Sequence, residues 1–413
     1  MSRFNARLTV VAAAMALASI SARADVVTDW NQITLDATHL VVGFGGGSWF
    51  QVRTLAHTHA AIFDAVNAIE RKYTPYAVDM RAPAGSSFDA AVASAAYSVL
   101  VAESPTQKAT LDRALAATLA KVPDGAAKSD GIALGKDVAG KLLTLRSDDG
   151  VTDPAVFQVP PPAPGVWQQT PQFGPPIYYA WRKVPPMAIK DVRGYDIGGP
   201  PALDSPRYAR DYNEIKAVGA RNSTTRSGEQ TAVAIYWTVQ TMIPWNKAAQ
   251  AAATARNLSV VESARLFALL NIAAHDTQVV GAEQKYRYNF WRPYNAIRYA
   301  GGAGSPALVG DPNWEPVINT PGFPDYPSGH CITSGGALGV LLALFPDDEV
   351  SVSDTHIPRT GVVRSWTSFT QMATEVENAR VWGGIHFRSA DEDGTRMGRK
   401  IGNDVVAALM RPL

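Results

Sequence analysis

Apolar residues in the first part of the chain recur with the spacing of an amphipathic helix. Between residues 52 and 73, Leu55, His59, Ile62 and Val66 follow one another at alternating steps of four and three positions, which places them on one helical face. Similar patterns cover residues 88–103, 107–121 and 128–146. The sequence therefore predicts four helices within residues 25–149, the number found in a helical bundle.

Proline becomes frequent between residues 150 and 205. Residues 150–201 hold twelve of the 28 prolines of the chain, and proline interrupts helices and central strands alike. The same segment carries Trp167 and Trp181 together with Tyr178 and Tyr179. We therefore predict an ordered, irregular connector that wraps and covers another surface, rather than a flexible linker.

Helical patterns return in residues 206–413. They start at residue 206, cover about 226–242, 246–256 and 260–282, and begin again near 330, 365 and 390. No run alternates with the period of a strand. The fold class predicted from these patterns is all-α, with residues 206–413 as a second helical domain.

The composition fits a large globular protein. A chain of 413 residues exceeds the usual size of one hydrophobic core, and 46% hydrophobic with 18% charged residues is typical of folded proteins. The net charge of +1 gives no support for a nucleic-acid partner or a polybasic membrane surface. Cys331 is the only cysteine, so an intramolecular disulfide is excluded.

Residues 1–24 have the pattern of a secretory signal. Arg3 and Arg7 precede an apolar run, and the tripeptide ending at Ala24 provides a cleavage site of small residues. No later stretch is long enough to span a bilayer. We expect a periplasmic or secreted protein.

Two cations lie close together in the aromatic-rich segment 283–294. Lys285 and Arg292 are seven positions apart, and Pro293 makes the chain turn directly after them. An ammonium and a guanidinium are complementary donors for a tetrahedral oxyanion. The alternative is a pair of surface cations whose stems cover the aromatic residues.

The segment PSGH, residues 327–330, directly precedes an apolar helical pattern. A helix N-terminus presents unpaired N–H groups and a positive dipole end, so the amide of Gly329 and the hydroxyl of Ser328 are well placed to hold an anion. Gly329 also lacks the Cβ that would hinder close approach. The alternative is ordinary capping by Ser328, with His330 exposed in the first turn.

A third segment contains Arg380 and His386, separated by five residues. Ser389 and Glu392 have the spacing of a capping box, which predicts a helix start there with Asp391 in its first turn. The alternative role of that carboxylate is a favourable interaction with the helix dipole. Together the three segments provide three cations, two histidines and a helix-end amide, which predicts an oxyanion pocket with one histidine as nucleophile or metal ligand and the other as proton carrier.

The order of these segments resembles the signature of the superfamily of type 2 phosphatidic acid phosphatases and vanadium haloperoxidases. The matching positions are Lys285-x6-Arg292-Pro293, Pro327-Ser328-Gly329-His330 and Arg380-x5-His386. The segment HAAIFDAVNAIERKY and the proline-rich connector resemble the exported bacterial branch of vanadium-dependent haloperoxidases. This resemblance implies two packed four-helix bundles with the site in the C-terminal bundle.

The resemblance also implies a role for each matching residue. His386 would ligate vanadium, and His330 would be the acid and base that helps to load and protonate peroxide. Phosphate is isosteric with vanadate, and in phosphatase relatives the first of these histidines attacks phosphorus while the second protonates the leaving alcohol. The oxyanion oxygens would be neutralised and hydrogen-bonded by Lys285, Arg292, Ser328, Gly329 and Arg380.

Departures from the superfamily pattern guide the choice of reaction. The segment 323–326 and the pair 290–291 resemble haloperoxidases of the chloroperoxidase type. Ala282 stands three residues before the lysine, where a tryptophan is often found, so bromide is a better expectation than chloride. The phosphatase signature has an aspartate four residues after the histidine, where this chain has Ala390 and offers Asp391 one position later.

Three functional alternatives follow. The first is a vanadate-dependent haloperoxidase that oxidises halide with hydrogen peroxide. The second is an exported acid phosphatase that hydrolyses phosphate monoesters through a phosphohistidine, and the third is a non-catalytic oxyanion-binding protein. In each case the expected partners are small molecules, neither nucleic acid nor a membrane span is expected, and the chain could form a homodimer.

Two further expectations concern residues near and outside the three segments. The nearby cations should favour neutral His386, and Asp276 should support the site or serve the structure. The remaining histidines are expected to be structural or exposed: His39, His57, His59, His275 and His356.

Overall fold

The computed structural model describes residues 25–41, 48–171, 174–299, 308–354 and 363–413. The segment expected to be a secretory signal and His356 lie outside these ranges. Within them the chain forms thirteen α-helices and one antiparallel pair of strands. In chain order, the elements are α1 (Val26–Val41), α2 (Ser48–Ile69), α3 (Phe88–Glu103), α4 (Lys108–Leu119), α5 (Ala126–Leu145), α6 (Pro206–Val218), α7 (Gly228–Tyr236), α8 (Met242–Ala255), α9 (Val260–Tyr288), α10 (Pro293–Arg298), α11 (Gly329–Leu344), β1 (Glu349–Asp354), β2 (Arg364–Ser368), α12 (Phe369–Trp382) and α13 (Arg388–Ala408).

The four helices predicted in the N-terminal part are present as α2 to α5, and α1 adds a fifth. Helix α5 approaches α3 so closely that a Cβ at Gly135 would lie 2.4 Å from the carbonyl oxygen of Ala91. Helix α1 was not predicted because Thr34 and Thr38 interrupt its apolar face. Both threonines are buried, with their hydroxyls donating 2.7 Å hydrogen bonds to carbonyl oxygens one turn earlier.

The connector of residues 150–205 is irregular, as predicted. In its described part it contains only two 3-10 turns, at Tyr179–Lys183 and Val192–Tyr195. Trp167 and Trp181 are buried, and the backbone at Val166 forms an antiparallel bridge with Phe290, two residues before Arg292. The connector therefore packs directly against the segment that carries the candidate cations.

Asp276 on α9 attaches the connector to the centre of the molecule. Its carboxylate accepts hydrogen bonds of 2.6, 2.8 and 3.0 Å from the amides of Met187, Ala188 and Ile189. Asp276 is fully buried, and hydrogen bonds to a charged acceptor contribute most away from water. This geometry gives Asp276 the structural role that was one of its two expected roles.

Helix α9 is the central helix, because it contacts α2 of the N-terminal part as well as α11 and α13 of the C-terminal part. It begins with a capping box between Ser259 and Glu262. The helix was predicted to end near residue 282 but extends to Tyr288. It stops there because Asn289 adopts a left-handed conformation with φ 46°. The additional turns place Lys285 on a helix inside the molecule.

Helices α11 and α13 cross with almost no space between their backbones. A Cβ at Gly398 would lie 1.9 Å from the carbonyl oxygen of Ile332, and one at Gly402 would lie 2.3 Å from that of Gly336. No side chain fits at either contact. The close contact fixes the start of α11, which carries PSGH, relative to α13, which begins two residues after His386.

The all-α class is confirmed, with one addition in the C-terminal part. Strands β1 and β2 pair Val352 with Trp366, and a bulge between Glu349 and Val352 breaks the regular register. Such short, bulged strands lack the long alternation by which strands are found in a sequence. Because β2 occupies residues 364–368, α12 begins at Phe369 and not near residue 365.

The segment 226–242, which was predicted to be one helix, contains α7, a turn and the first residue of α8. Helix α7 ends at Tyr236, and α8 begins at Met242. The intervening residues 237–241 leave the helical path and, as described below, contact the candidate site.

One hydrophobic core extends through both parts of the chain. It includes Trp30 and Phe63 from the N-terminal helices together with Phe267 and Phe387 from the C-terminal helices. The proposed limits of the two bundles, at 149/150 and 205/206, remain a prediction. Across the described ranges, none of the helices has the length and apolar character required to cross a membrane.

Candidate functional site

Lys285 projects from the last turns of α9 into the interior. Its Nζ donates 3.0 Å hydrogen bonds to the carbonyl oxygens of Pro324 and Asp325 and a further one to that of Pro327. Burial, and then the positive charge of Arg292, hold the pKa of Lys285 well below its ordinary value. The side chain is fully buried, so it is not a surface cation.

Arg292 precedes α10 and is also fully buried. Its Nε donates to the carbonyl oxygen of Phe323 (2.9 Å) and its Nη1 to that of Ile385 (2.7 Å), while its Nη2 has no partner. Burial lowers the pKa of this guanidinium to about 10. The ring of Phe323 lies against both cations, with its centroid 4.8 Å from Lys285 Nζ and 4.9 Å from the Arg292 guanidinium carbon.

Ser328 occupies the N-cap of α11, but its hydroxyl makes no capping hydrogen bond and is buried without a partner. A Cβ placed on Gly329 would meet only Lys285 Cε, at 3.9 Å. A side chain at this position would therefore enter the space in front of Lys285. The first-turn amides of α11 have no acceptor within their own helix, so the start of α11 presents donors that ordinary capping does not consume.

Arg380 reaches the same region from the last turn of α12. Its Nη1 donates a 2.6 Å hydrogen bond to the carbonyl oxygen of Trp237, and its buried Nε has no partner. Burial lowers the pKa of Arg380 to about 10. Trp237 belongs to the turn between α7 and α8, so this turn forms part of the site.

His386 lies between Arg292 and Asp325. Arg292 Nη1 lies 2.9 Å from its Nε2 and 3.3 Å from its Nδ1. Asp325 Oδ1 is 3.0 Å from Nδ1 but forms no hydrogen bond. Burial, and then the charges of Arg292, Lys285 and Arg380, hold the pKa of His386 well below its ordinary value. The imidazole is therefore neutral near pH 7 as predicted, although burial contributes more than the cations.

His330, in the first turn of α11, is half-buried. Its Nε2 is 3.2 Å from the carbonyl oxygen of Val239, again in the turn between α7 and α8. Burial, followed by the charge of Arg380, holds its pKa well below the ordinary value. The imidazole is thus neutral and held by backbone at the edge of the site.

The fold brings together every residue that the sequence assigned to the site. Four separate segments supply cations and unpaired donors around one imidazole, and among the described residues no group of three or more histidine, cysteine, aspartate or glutamate side chains could hold a metal ion. A donor set of this kind suits an oxyanion better than a bare metal cation.

Both the sequence and the fold of this chain resemble those of known proteins. Residues 265–413 match the family described as the VCPO second helical-bundle domain. The vanadium chloroperoxidase of Curvularia inaequalis is 33% identical over 147 aligned residues, which cover 29% of this chain and 23% of that protein. The chain thus aligns with less than a quarter of that relative.

Solved structures extend the similarity to most of the chain. The first bacterial vanadium-dependent iodoperoxidase superposes with a TM-score of 0.80 at 26% identity, over 92% of this chain and 96% of that one. The chain belongs to the vanadium haloperoxidase superfamily. A bacterial vanadium-dependent chloroperoxidase in its apo form superposes with a TM-score of 0.74 at 15% identity, over 91% of this chain and 96% of that one, and shares the fold.

The residues of the site fit the vanadate cofactor that this superfamily implies. Three buried donor or hydroxyl groups without partners, Arg292 Nη2, Arg380 Nε and Ser328 Oγ, lie on the segments that form the pocket. Leaving such groups buried is costly unless a ligand satisfies them. His386 is the one imidazole in contact with these cations through a side chain, so it is the candidate ligand nitrogen.

Asp325 is the site residue that sequence reasoning did not assign. It is fully buried, and burial, opposed by the charges of Arg292 and Lys285, raises its pKa to about 7. A charged residue within the apolar and aromatic segment before PSGH was the available signal.

Asp391 lies in the first turn of α13, as predicted, whereas Ser389 does not have the capping role that its spacing suggested. Helix α13 begins at Arg388 with Phe387 at its N-cap, so Ser389 is not a capping residue. Its amide instead donates to Asp211 Oδ2 at 3.0 Å. The Asp391 side chain accepts a 3.2 Å hydrogen bond from Cys331 Sγ. Helix α13 begins upstream of its predicted start, directly after Phe387, whose ring is buried in the core.

A tryptophan from another element belongs to the buried cluster around Ala282, the position at which a tryptophan is often found in the superfamily. The indole of Trp49, from α2, shares this cluster with Ala282 and stacks on Tyr178 of the connector with ring centroids 4.2 Å apart. The Phe323 ring lies 6.2 Å from Trp49 and 5.9 Å from Tyr178. The aromatic wall beside the cations is therefore built from three separate segments.

The other described histidines lie outside the site. His57, His59 and His275 are buried and His39 is exposed. His57 Nδ1 pairs with Glu103 at 2.7 Å, His59 Nε2 lies 2.8 Å from Asn31 Nδ2, and His275 Nδ1 lies 3.0 Å from Asp276. These contacts give the three buried histidines structural roles.

Proposed function

We propose that this protein is a vanadate-dependent haloperoxidase that oxidises halide with hydrogen peroxide. The observation that carries the proposal is that the buried cations Arg292 and Arg380 act on the neutral imidazole of His386 while each keeps one N–H group without a partner. Donors fixed in a dry site are the arrangement that stabilises a bound oxyanion. The similarity to haloperoxidases over most of the chain supports the same function.

In this proposal, vanadate bound at the site supplies a Lewis acid that activates hydrogen peroxide toward halide. A ring nitrogen of His386 would hold vanadium, and Arg292, Arg380 and the start of α11 would hydrogen-bond the oxygens. Lys285, whose three N–H groups are bound by carbonyl oxygens, would contribute positive charge. His330 carries protons to and from peroxide, which requires it to exchange its contact with Val239 for one with the reactants. The Phe323 ring keeps water from the cations and so strengthens their charge interactions.

Bromide is the proposed halide in preference to chloride. The reason is the absence of the superfamily's tryptophan at Ala282. The relative described as an iodoperoxidase makes iodide the second halide to measure. Comparison of all three halides under one set of conditions tests this order.

The decisive experiment is halogenation of a dimedone-type acceptor by purified protein, after dialysis against EDTA and reloading with orthovanadate. Activity should require vanadate, peroxide and halide together. His386→Ala should abolish it, whereas His39→Gln, which changes an exposed histidine on α1, should retain it. Vanadate-independent activity, or equal activity of both variants, would contradict the proposal.

A second candidate function is hydrolysis of phosphate monoesters. It is favoured by the neutral state of His386 among buried cations, since a neutral imidazole nitrogen can attack phosphorus once its contact with Arg292 Nη1 is exchanged for the substrate. The N–P bond would form as the bond from phosphorus to the ester oxygen breaks, with His330 giving a proton to the leaving alkoxide, and water would then hydrolyse the phosphohistidine. Hydrolysis of p-nitrophenyl phosphate that vanadate inhibits, without halogenation, would favour this function over the first.

We also propose that the mature protein is exported, on the basis of the sequence of residues 1–24. Mass spectrometry of the mature N-terminus should find Asp25. Light scattering of the purified protein should decide whether it forms the homodimer that the sequence leaves open.

A further inference from the structure

We infer that Glu375, on α12, is a positioning residue for oxyanion binding: it holds the indole of Trp237, whose carbonyl oxygen orients the guanidinium of Arg380. The inference deepens the proposed function and rests on it, because Arg380 belongs to the same site. It applies to vanadate and to phosphate alike, since the N–H groups of one guanidinium can bind either oxyanion. Neither Glu375 nor Trp237 was assigned to the site from the sequence.

The carbonyl oxygen of Trp237 sets the direction of the Arg380 guanidinium. It accepts a 2.6 Å hydrogen bond from Nη1, and both residues are buried. The N–H donors of a guanidinium are fixed in one plane, so a hydrogen bond at Nη1 restricts the orientation of the whole group. The Nε–H group, which is buried and has no partner, is thereby held in one direction. A shift of the Trp237 carbonyl would turn this N–H group with it.

The turn that begins at Trp237 also contacts His330. A carbonyl oxygen can only accept, so His330 Nε2 donates the 3.2 Å hydrogen bond to the carbonyl oxygen of Val239. Trp237 is the C-cap of α7, and Val239 lies two residues further along the same turn. Displacement of this turn would therefore change the surroundings of a cation and of an imidazole together.

Glu375 anchors Trp237 through the side chain. Its Oε1 accepts a 2.9 Å hydrogen bond from Nε1 of Trp237 and a 3.1 Å hydrogen bond from Nε1 of Trp366. Arg364, on β2, donates to both carboxylate oxygens and balances their charge. Hydrogen bonds to a charged acceptor are among the strongest in proteins. Because the Trp237 indole is fully buried, removal of the carboxylate leaves its N–H group unpaired away from water.

Trp366, on β2, provides a matched comparison for Trp237. Both indoles are buried, their ring centroids are 5.8 Å apart, and both donate to the same carboxylate oxygen. Trp237 in addition gives its carbonyl oxygen to Arg380. Within the described ranges, Trp366 has neither a hydrogen bond nor a ring contact with the cations and histidines of the site. Loss of either indole N–H should therefore reduce stability similarly, but only the change at Trp237 should affect a bound anion.

The experiment measures orthophosphate binding by calorimetry and stability by urea denaturation, without peroxide or halide. Trp237→Phe keeps an aromatic ring but removes the N–H group. It should weaken phosphate binding by roughly 10-fold, the lower end of the range known for groups that orient metal ligands. Trp366→Phe should keep the dissociation constant within about twofold of the wild type while lowering stability to a similar extent. A purely structural role of Glu375 predicts equal effects of the two variants on phosphate binding, and that result would overturn the inference.

Two variants of Glu375 separate its acceptor oxygen from its charge. Glu375→Gln retains an oxygen that can accept from the indole of Trp237, so it should retain most of the phosphate affinity. Glu375→Ala removes the acceptor and should weaken phosphate binding about as much as Trp237→Phe does. The double variant should bind like either single variant, because both changes break the same hydrogen bond. Phosphate affinity equal to that of the wild type in Glu375→Ala would contradict the positioning role.

A second double-mutant cycle tests whether the effect passes through Arg380. In an Arg380→Lys background the planar group that the carbonyl orients is absent, so Trp237→Phe should have no further effect on phosphate binding. An undiminished effect of Trp237→Phe in that background would refute the inference.

Halogenation assays on the wild type distinguish this inference from the proposed function. A wild type that binds orthophosphate but does not halogenate would overturn the proposed function, and the comparison of Trp237→Phe with Trp366→Phe would still decide the role of Glu375. A wild type that binds neither orthophosphate nor orthovanadate would overturn both.

Discussion

The guanidinium of Arg380 is bound on one side only. Its Nη1 donates a 2.6 Å hydrogen bond to the carbonyl oxygen of Trp237, whereas its Nε is buried and has no partner. The backbone contact fixes the group, and the free N–H points to a function for it. We therefore expect Nε, and not Nη1, to contact a bound anion.

Arg380→Lys retains a positive charge but removes the planar donor. We expect the dissociation constant for orthophosphate to increase about 10-fold to 100-fold, the magnitude of one lost hydrogen bond to a charged group. Calorimetry at constant ionic strength measures it. The matched control is Arg226→Lys, since Arg226 also bonds backbone carbonyl oxygens, at Val218 and Ala220, but lies outside the site. Binding within twofold of the wild type would show that Nε does not contact the anion.

Trp49 and Ala282 should behave as a coupled pair. Ala282→Trp adds an indole to the buried cluster that contains Trp49 and should reduce the free energy of unfolding by about 1–3 kcal/mol through overpacking. Trp49→Ala should reduce it by about 3–5 kcal/mol through a cavity. The double variant should be more stable than the sum of the two changes implies, as measured by urea denaturation. Strict additivity would mean that the two residues do not share one space.

Asp276→Ala should release part of the connector. The amides of Met187, Ala188 and Ile189 lose their acceptor, so their hydrogen exchange should accelerate strongly while exchange in α2 is little affected. Asp191→Ala is the control, because that exposed carboxylate accepts only from the amide of Arg193 among the contacts described. Unchanged exchange at residues 187–189 would show that another contact holds the connector.

Glu103 should make the fold sensitive to acid. Burial acts to raise its pKa, but the hydrogen bond and charge of His57 and the charge of Arg53 together lower it to about 2. Because this pKa lies below its ordinary value near 4.5, its stabilisation is complete above about pH 4.5 and is lost as the pH falls toward 2. His57, whose own pKa is lowered by burial, adds a loss of stability below about pH 6.5.

Glu103→Gln should therefore lower the free energy of unfolding at pH 7 by about 1–3 kcal/mol and flatten its pH dependence between pH 4.5 and 2. Denaturation at a series of pH values measures both effects. Asp137→Asn, which removes an exposed partner of Lys141, should change stability by less than about 0.5 kcal/mol. An equally steep acid transition in Glu103→Gln would assign the sensitivity to other groups.

The residues of the candidate site were predictable because each lies in a short local sequence pattern. A lysine before a helix break, a small-residue turn before an apolar helix and a histidine before a helix start each place a group at a helix end. Their order then matched a known signature. All-helical architecture followed from periodicity for a similar reason, since the pattern of apolar residues within one helix depends little on the rest of the fold.

Contacts between distant segments were not predictable in this way. The approach of Asp325 to His386 depends on how the segment before PSGH lies against α13, and the contribution of Trp49 depends on α2 meeting the end of α9. The turn at residues 237–241 was read as helix because its composition continues the apolar pattern of α7. Its carbonyl oxygens accept from Arg380 and His330 only because the folded chain places them there.

The glycine contacts between α11 and α13 bear on how reactants can reach the site. With a hypothetical Cβ at Gly398 only 1.9 Å from a backbone oxygen, neither helix can slide or tilt past the other without a steric clash. PSGH and His386 must therefore move as one rigid body. Substrates therefore reach the site without a change in the distance between these two segments, on the side where Gly329 and His330 are partly exposed.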